Sequence, residues 1–332
     1  MQLYRFPRRR YTSGPTALTP LERLSRHLGG PRLWIKRDDE LGLAGGGNKT
    51  RKLEFLVADA LAKGADTLIT TGAVQSNHCR LTLAAACAEG LACRLVIEER
   101  VPGSYDEDAS GNNMLFRLLG AERITVVPAG TDLAAALQQE ADDVSAAGRV
   151  PYVIPGGGSN PLGALGYVAA AEELMAQAVE ARLAFQALVV ASGSGGTHAG
   201  LLAGLTGNSS GLPVIGVSTR AAREQQEAKI LDLARRTAEL AGSAIEVTSE
   251  DVRVDDGHVG DGYSLPTAGM VEAVKLFARL EGVLLDPVYT GKAAAGLLAL
   301  VRGGAFDPDG DVVFVHTGGW PALFAYQEVL LS

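Results

Sequence analysis

The chain is 332 residues long, with 30 basic residues against 38 acidic ones, a net charge of −8, and 47% hydrophobic against 20% charged residues. This balance excludes general disorder and leaves no basic footprint for nucleic acid. No uninterrupted apolar run approaches the ~20 residues of a membrane helix, and the length predicts about two domains.

The basic opening, Met1–Tyr11, is followed by no apolar segment, so no secretory signal is expected. Short apolar runs then alternate with helical patterns. Strands are predicted at Thr67–Thr71, Cys93–Glu98, Ile124–Val127 and Tyr152–Ile154, with helices at Asn77–Glu89, Asn112–Leu119 and Asp132–Ala147 between them. A second series has strands at Ala187–Ala191, Pro213–Ser218 and Val312–His316. Its helices are Thr197–Leu205, Ala221–Leu240, Ala268–Leu280 and Ala293–Arg302. The alternation predicts an α/β protein with parallel sheets. The Gly-rich stretch Pro155–Pro161 is the best seam between the series, and no fixed-period repeat is present. Two such lobes would place a ligand in the crevice at the carboxyl ends of their strands.

The three cysteines, Cys79, Cys87 and Cys93, are odd in number and fit neither C-x-x-C nor zinc spacing. Cys87 and Cys93 stand among apolar residues and read as core thiols, which predicts a reducing compartment and a cytoplasmic protein. The 41 glycines cluster in runs, which points to close approach of backbone to a ligand.

Three motifs carry chemistry. Gly45-Gly46-Gly47-Asn48-Lys49-Thr50-Arg51-Lys52 resembles a phosphate loop, but Asn48 separates the last glycine from Lys49, against the nucleotide-triphosphatase pattern. The run is either a surface turn opening a basic helix or a glycine-flanked lysine able to form a Schiff base with a carbonyl cofactor. Ser192-Gly193-Ser194-Gly195-Gly196-Thr197-His198 follows an apolar strand and opens a helix, so its N–H groups and hydroxyls make a phosphate cradle. It fails the dinucleotide fingerprint at His198 and the serine-hydrolase elbow at Ser192. Gln75-Ser76-Asn77-His78 sits at a strand-to-helix junction. Ser76 or Asn77 is a natural N-cap there, and a clamp for a substrate carboxylate is the alternative. His316, ending a buried strand, reads as a core histidine, and the five histidines form no H-E-x-x-H, so no catalytic metal is expected.

Together with Lys36-Arg37-Asp38-Asp39, Tyr263-Ser264-Leu265-Pro266 and Asp286–Lys292, these motifs resemble, in order and over nearly the whole chain, a branch of the pyridoxal-phosphate enzymes. That branch is the D-cysteine desulfhydrase and 1-aminocyclopropane-1-carboxylate deaminase family, of the tryptophan-synthase-β fold (fold type II). The resemblance implies two lobes, each an open, mostly parallel twisted sheet flanked by helices. The small domain would be 52–162, and the large, cofactor-binding domain 1–51 plus 163–332. Lys49 would hold pyridoxal 5'-phosphate, exchange it for the substrate amine and then act as base. Gly193, Ser194, Gly195, Gly196 and Thr197, with Asn77, would hold the phosphate, and Asn48 the ring-hydroxyl side. Ser76, Asn77 and His78 would face the substrate carboxylate, and Tyr263 and Tyr289 would serve substrate contact or proton transfer. A small-molecule amino-acid substrate and a homodimer are implied, with no nucleic-acid or membrane partner.

Within this resemblance, the deaminase type has a glutamate and a leucine where this chain has Thr290 and Thr317. A carboxylate at the pyridine nitrogen favours a strong electron sink, suited to opening a strained ring. A threonine leaves a weaker sink, sufficient where the leaving group itself takes the electron pair. The expectation is therefore a carbon–sulfur lyase acting on D-cysteine. An L-cysteate sulfo-lyase is the alternative, with His78, His258 and Arg80 as candidate partners for the sulfonate. Ring-opening deamination and a non-catalytic binding protein rank below both.

Overall fold

The computed structural model describes residues Met1–Ser332. In chain order the elements are β1 (Leu18–Pro20), α1 (Glu22–Leu28), β2 (Arg32–Lys36), α2 (Lys49–Ala62), β3 (Thr67–Ala73), α3 (Asn77–Glu89) and β4 (Ala92–Glu99). Then come α4 (Asn112–Leu118), β5 (Arg123–Pro128), α5 (Leu133–Ala146), β6 (Pro151–Ile154), α6 (Pro161–Ala181), β7 (Phe185–Ser192) and α7 (Gly196–Gly207). The remainder is β8 (Val214–Ser218), α8 (Arg223–Leu240), β9 (Arg253–Asp255), α9 (Ala268–Glu281), α10 (Thr290–Arg302), β10 (Asp311–Val315) and α11 (Gln327–Leu331).

Two sheets result. One has four parallel strands in the order β5-β4-β3-β6. The other has six in the order β1-β2-β10-β7-β8-β9, all parallel except β1 against β2. Both are covered on both faces, as parallel sheets require, and alternate residues of one strand serve different cores. In β7, Leu188 and Val190 point to one core and Val189 and Ala191 to the other. In β10, Val313 and Val315 divide from Val312 and Phe314 in the same way. Around the smaller sheet, Leu95 and Ile97 of β4 face one core and Val96 the other. No helix is long and apolar enough to cross a membrane.

Every predicted element is present, with ends shifted by a few residues, but β1, α1, β2, α6, β9 and α11 carried too little periodic signal to be predicted, and the sequence offers α2 only as one alternative, a basic helix opened by the Gly45–Lys52 run. α6 is Ala-rich and apolar around most of its circumference, with Asn160 capping it by accepting the Gly163 N–H and Pro161 in its first turn. The first turn of α2 is charged yet wholly buried from Lys49 to Glu54. A neutral ion cluster makes this tolerable. Arg51 bonds Asp38 at 2.8 Å and Glu173 at 2.9 Å, Lys36 pairs with Glu173 and donates to the Thr16 carbonyl at 2.7 Å, and the Tyr167 hydroxyl donates to Asp38 at 2.6 Å. Lys36 and Asp38 of the family-like motif therefore tie β2 to α2 and α6 rather than entering the site.

Two sequence expectations are corrected. Cys87 is exposed, because it lies on the last turn of α3 beyond the core, where its thiol contacts the Leu119 carbonyl at 3.2 Å; Cys79 and Cys93 are the buried pair. Many glycines serve backbone-to-backbone packing rather than a ligand. A Cβ on Gly46 (φ +72°) would lie 1.8 Å from the Asp39 carbonyl oxygen, and one on Gly166 would lie 2.2 Å from that of Arg51, where α6 crosses α2.

Candidate active site

Three parallel-strand ends and one helix start meet in the crevice. β3 runs into Gln75, held at φ +61°, and then into α3. Ser76 caps that helix by accepting the Cys79 N–H at 3.2 Å, so the capping reading is borne out. β7 runs through Gly193–Gly195 into α7, and β10 ends at Val315, ahead of Thr317 and Gly318. Asn48 and Lys49 enter from the start of α2. A small chamber is lined by Asn48, Lys49, Asn77, the Gly193–Gly195 turn, Thr197, Tyr289 and Thr317, and no carboxylate lines it. It opens beside a cavity of about 360 Å³ that also takes in Ser76, His78 and Tyr263.

Lys49 is buried. Its ammonium donates to Asn48 Oδ1 at 2.9 Å and lies 5.5 Å from the centre of the Tyr289 ring. Burial brings its pKa down to about 8, against the pull of Asp286 upward and with the push of Arg80 downward. Asn48 Nδ2 in turn donates to Thr197 Oγ1 at 2.8 Å, linking the lysine to the glycine-rich turn. Asn77 Oδ1 accepts from Asn112 Nδ2 at 2.9 Å and from Arg80 at 3.3 Å.

The start of α7 is an anion cradle in shape and charge. Gly195, at φ +99°, turns the chain into the helix, and the Gly196 N–H donates to Ser159 Oγ at 3.1 Å. Ser159 also donates to Ser194 Oγ at 2.8 Å. Lys52, missed from the sequence, lies here, buried and without a carboxylate partner. Its ammonium donates to the Gly157 carbonyl at 3.0 Å and would lie 2.9 Å from a Cβ on Gly196. The available signal was its position three residues after Lys49, on the same helix face.

Tyr263 and Tyr289 are joined hydroxyl to hydroxyl, with ring centres 5.9 Å apart and planes at 67°. Burial pushes both phenols up, so both are neutral near pH 7. Tyr263 sits on the loop before α9, and the buried Lys292 holds that loop by donating to the carbonyls of Val259 (2.6 Å) and Gly262 (2.8 Å). The guanidinium carbon of Arg100 lies 4.5 Å over the Tyr263 ring. His78 Nε2 pairs with Thr70 Oγ1 at 2.7 Å, and burial holds its pKa well below the ordinary value, so the ring is neutral.

The two threonines separate. Thr317 lines the chamber. Thr290 does not: its hydroxyl donates to Asp286 Oδ1 and receives the Asp286 N–H, both at 2.7 Å, in a turn that starts α10. Asp286 also accepts the N–H groups of Val288, Tyr289 and Thr290, so its oxygens are spent on that turn. His316 is a core residue bonded to the Leu284 carbonyl at 3.1 Å. Of the three expected partners for a sulfonate, only His78 lines the cavity. Arg80 is buried, bonded to Asn112 at 2.9 Å and to the Gly46 carbonyl at 2.8 Å, and His258 pairs with Asp255 at 3.5 Å. Arg100, Arg220 and Lys229 line it instead. They lie outside every motif read from the sequence.

The family model for pyridoxal-phosphate dependent enzymes matches residues 10–318. The chain is 47% identical over 325 residues to a D-cysteine desulfhydrase of Salmonella typhimurium, covering 98% of each chain. It is 45% identical over 337 residues to a 1-aminocyclopropane-1-carboxylate deaminase of Burkholderia ambifaria, covering 99% of each. A crystal structure of an ACC deaminase homologue, 37% identical, superposes with a TM-score of 0.89 over 99% of this chain and 97% of that one.

Proposed function

The chain belongs to the pyridoxal-phosphate-dependent enzymes, and from that premise we propose that it is a carbon–sulfur lyase. Its reaction would be α,β-elimination on D-cysteine, which with one water gives pyruvate, ammonia and hydrogen sulfide. The two relatives are nearly equal in identity, so sequence similarity does not choose between elimination and ring opening. The observation that carries the choice is the absence of a carboxylate from the chamber lining: Thr317 stands there, and Asp286 is consumed by its own turn. No acid is then available to hold a pyridine nitrogen protonated, which suits a reaction whose leaving group takes the electron pair.

The residues present fit the cofactor. Lys49 and Lys52 are buried amines without carboxylate partners, Lys52 pushed well below the ordinary lysine value by burial and then by Lys49, so that an arriving phosphate would favour its charged form; the start of α7 offers N–H groups, and the space beside Gly196 would be blocked by a single Cβ. Lys49 would hold the cofactor, while Gly193–Thr197 and Lys52 would hold its phosphate and Asn48 would lie beside the ring. Bound there, pyridoxal phosphate supplies the electron sink that lets the proton at the substrate α-carbon leave. Lys49 would take that proton. Its pKa of about 8 leaves a useful fraction as free amine near neutrality. The Ser76 hydroxyl and the Asn77 amide would orient the α-carboxylate, with the neutral His78 ring, its Nε2 spent on Thr70, lying beside them. The paired phenols of Tyr263 and Tyr289 line the same cavity, Tyr289 beside Lys49, and can pass a proton between them. The domain division at 52–162, a homodimer and a cytoplasmic setting are parts of the same proposal.

Incubation with D-cysteine, L-cysteine and 1-aminocyclopropane-1-carboxylate, followed by assay of sulfide, pyruvate and 2-oxobutyrate, tests the reading. Sulfide and pyruvate in equal amounts from D-cysteine are expected. Formation of 2-oxobutyrate from the cyclopropane as the faster reaction would overturn it.

A further inference from the structure

Arg80 lies on α3, one turn after Asn77, and is wholly buried with no carboxylate partner. Burial brings its pKa down to about 10, against the upward pull of Asp286, so it is still a cation at neutral pH. A buried guanidinium that meets only neutral oxygens is costly to keep. Those oxygens are the Gly46 carbonyl at 2.8 Å, Asn112 Oδ1 at 2.9 Å and Asn77 Oδ1 at 3.3 Å. Two of them belong to side-chain amides, whose oxygen and nitrogen ends have nearly the same shape. Packing does not decide which end of such a group points where; its hydrogen-bonding neighbours do.

A guanidinium can only donate, and a backbone carbonyl can only accept. Asn112 stands between one of each. Its Oδ1 accepts from Arg80, and its Nδ2 donates to the Gln75 carbonyl at 2.9 Å. The second Nδ2 hydrogen goes to Asn77 Oδ1, also at 2.9 Å. Asn77 Oδ1 therefore faces two donors, Asn112 and Arg80, and its Nδ2 is left at the other end without a protein acceptor. Asn77 lines both the chamber and the cavity. Gly319, at φ +107°, keeps the nitrogen end free, since a Cβ there would lie 2.4 Å from Nδ2.

We infer that Arg80 is a positioning residue, which sets the Asn77 amide with its N–H groups, and not its carbonyl, toward the bound ligand. The inference rests on the reading that Asn77 serves the ligand. The N–H groups suit an oxygen that carries negative charge, and two sources share that chemistry: the substrate carboxylate and an oxygen of the cofactor. A reversed amide would turn its own oxygen on that atom, so an attraction would become a repulsion.

The test compares wild type with Arg80→Lys, Arg80→Gln and Asn112→Asp. Lysine, like arginine, can only donate. Glutamine can donate or accept, which frees both asparagine amides to turn. Asn112→Asp gives Arg80 a carboxylate, which favours folding, but puts an acceptor where Asn77 Oδ1 needs a donor. Cofactor uptake by the apoprotein is followed by absorbance titration. Binding of alanine to the holoenzyme is measured by calorimetry, with the enantiomer that wild type binds more tightly; alanine has the amine and the carboxylate but no leaving group. Arg80→Gln and Asn112→Asp should lose about 10- to 100-fold in at least one of the two affinities. Arg80→Lys should stay within about threefold of wild type in both. A loss in alanine binding assigns the N–H groups to the carboxylate, and a loss in cofactor uptake assigns them to the cofactor. Unchanged affinities in Arg80→Gln or Asn112→Asp would overturn the inference. So would a lysine variant as weak as the glutamine one, since the donor-only character of Arg80 would then not be what matters. If Arg80→Gln does not fold, Asn112→Asp set against Arg80→Lys still decides. If wild type forms no pyruvate from D-cysteine, the elimination reading fails, and the two affinities still test the role of Arg80.

Discussion

Replacing Lys49 with Met should stabilise the cofactor-free protein at neutral pH while abolishing cofactor attachment. Burial lowers the lysine from 10.5 to about 8. At about 1.36 kcal/mol per unit, holding the ammonium in the fold costs about 3 kcal/mol. The sign follows from linkage. Below pH 8 the group is protonated in both states and the whole penalty applies. Between pH 8 and 10.5 the unfolded chain binds the proton and the folded chain does not, so wild-type stability rises with pH. Above 10.5 the penalty is gone. A methionine of similar length has no charge to desolvate. Its advantage should therefore be about 3 kcal/mol at pH 7 and about half that near pH 9.5. Urea unfolding of both apoproteins at the two pH values measures it. A variant no more stable than wild type at pH 7, or an advantage that does not shrink with pH, would refute the reasoning. The same lowered pKa makes about one molecule in ten carry a free amine at pH 7, against roughly one in three thousand for an ordinary lysine. Instability and reactivity thus have one cause.

Three other outcomes are expected. Asp38→Asn leaves Arg51 with only Glu173 and puts a net positive charge into the buried cluster; a loss of about 3–5 kcal/mol in urea unfolding is expected, and a loss under 1 would mean that Glu173 alone satisfies the guanidinium. Lys292→Met removes two of the hydrogen bonds that hold the Tyr263 loop, leaving the one from the Tyr326 hydroxyl to the Ser264 carbonyl; kcat should fall about tenfold, as for one lost positioning contact, with cofactor absorbance unchanged and faster proteolysis near residue 262, and an unchanged kcat would release Lys292 from a positioning role. Gly196→Ala places a methyl 2.8 Å from Ser159 Oγ and 2.9 Å from Lys52 Nζ; cofactor dissociation should rise about 10- to 100-fold, and an unchanged titration would move the phosphate elsewhere.

What the sequence disclosed follows physical lines. Strands such as β7 and β10 are apolar on both faces, so their runs stand out, and the glycine turn after β7 marks where backbone must bend sharply. α6 is invisible in the sequence and α2 shows only as a possible basic helix start, for opposite reasons. α6 is apolar nearly all round and has no amphipathic stripe to detect. α2 buries charge that is compensated by Arg8, Asp38 and Glu173, none of them on the helix itself. Lys52 was hidden because its role depends on Gly196 and Ser159 coming to its ammonium from other elements. Arg100, Arg220 and Lys229 were hidden likewise, since each stands alone in sequence and only the convergence of β4, β8 and α8 brings them to one cavity. Arg80 and His258 were the reverse case: suitable side chains near a motif, spent on neighbours.

The ion cluster behind Lys49 also bears on how such a site is kept in place. The first turn of α2 must present Asn48 and Lys49 to a polar chamber and Lys52 to a phosphate cradle, so it cannot be anchored there by a continuous apolar face. Arg51, on the opposite side of the same turn, is fixed bidentately by Asp38 and again by Glu173. A planar guanidinium held by two carboxylates sets direction as well as distance, which hydrophobic packing of the same turn would not. Net stabilisation from such a buried cluster is small; its use is orientation. Arg51→Met, even with Asp38→Asn to restore neutrality, should then fold yet retain cofactor less tightly than wild type. Full retention in that double variant would show that packing of α2 against α6 alone aims the lysine.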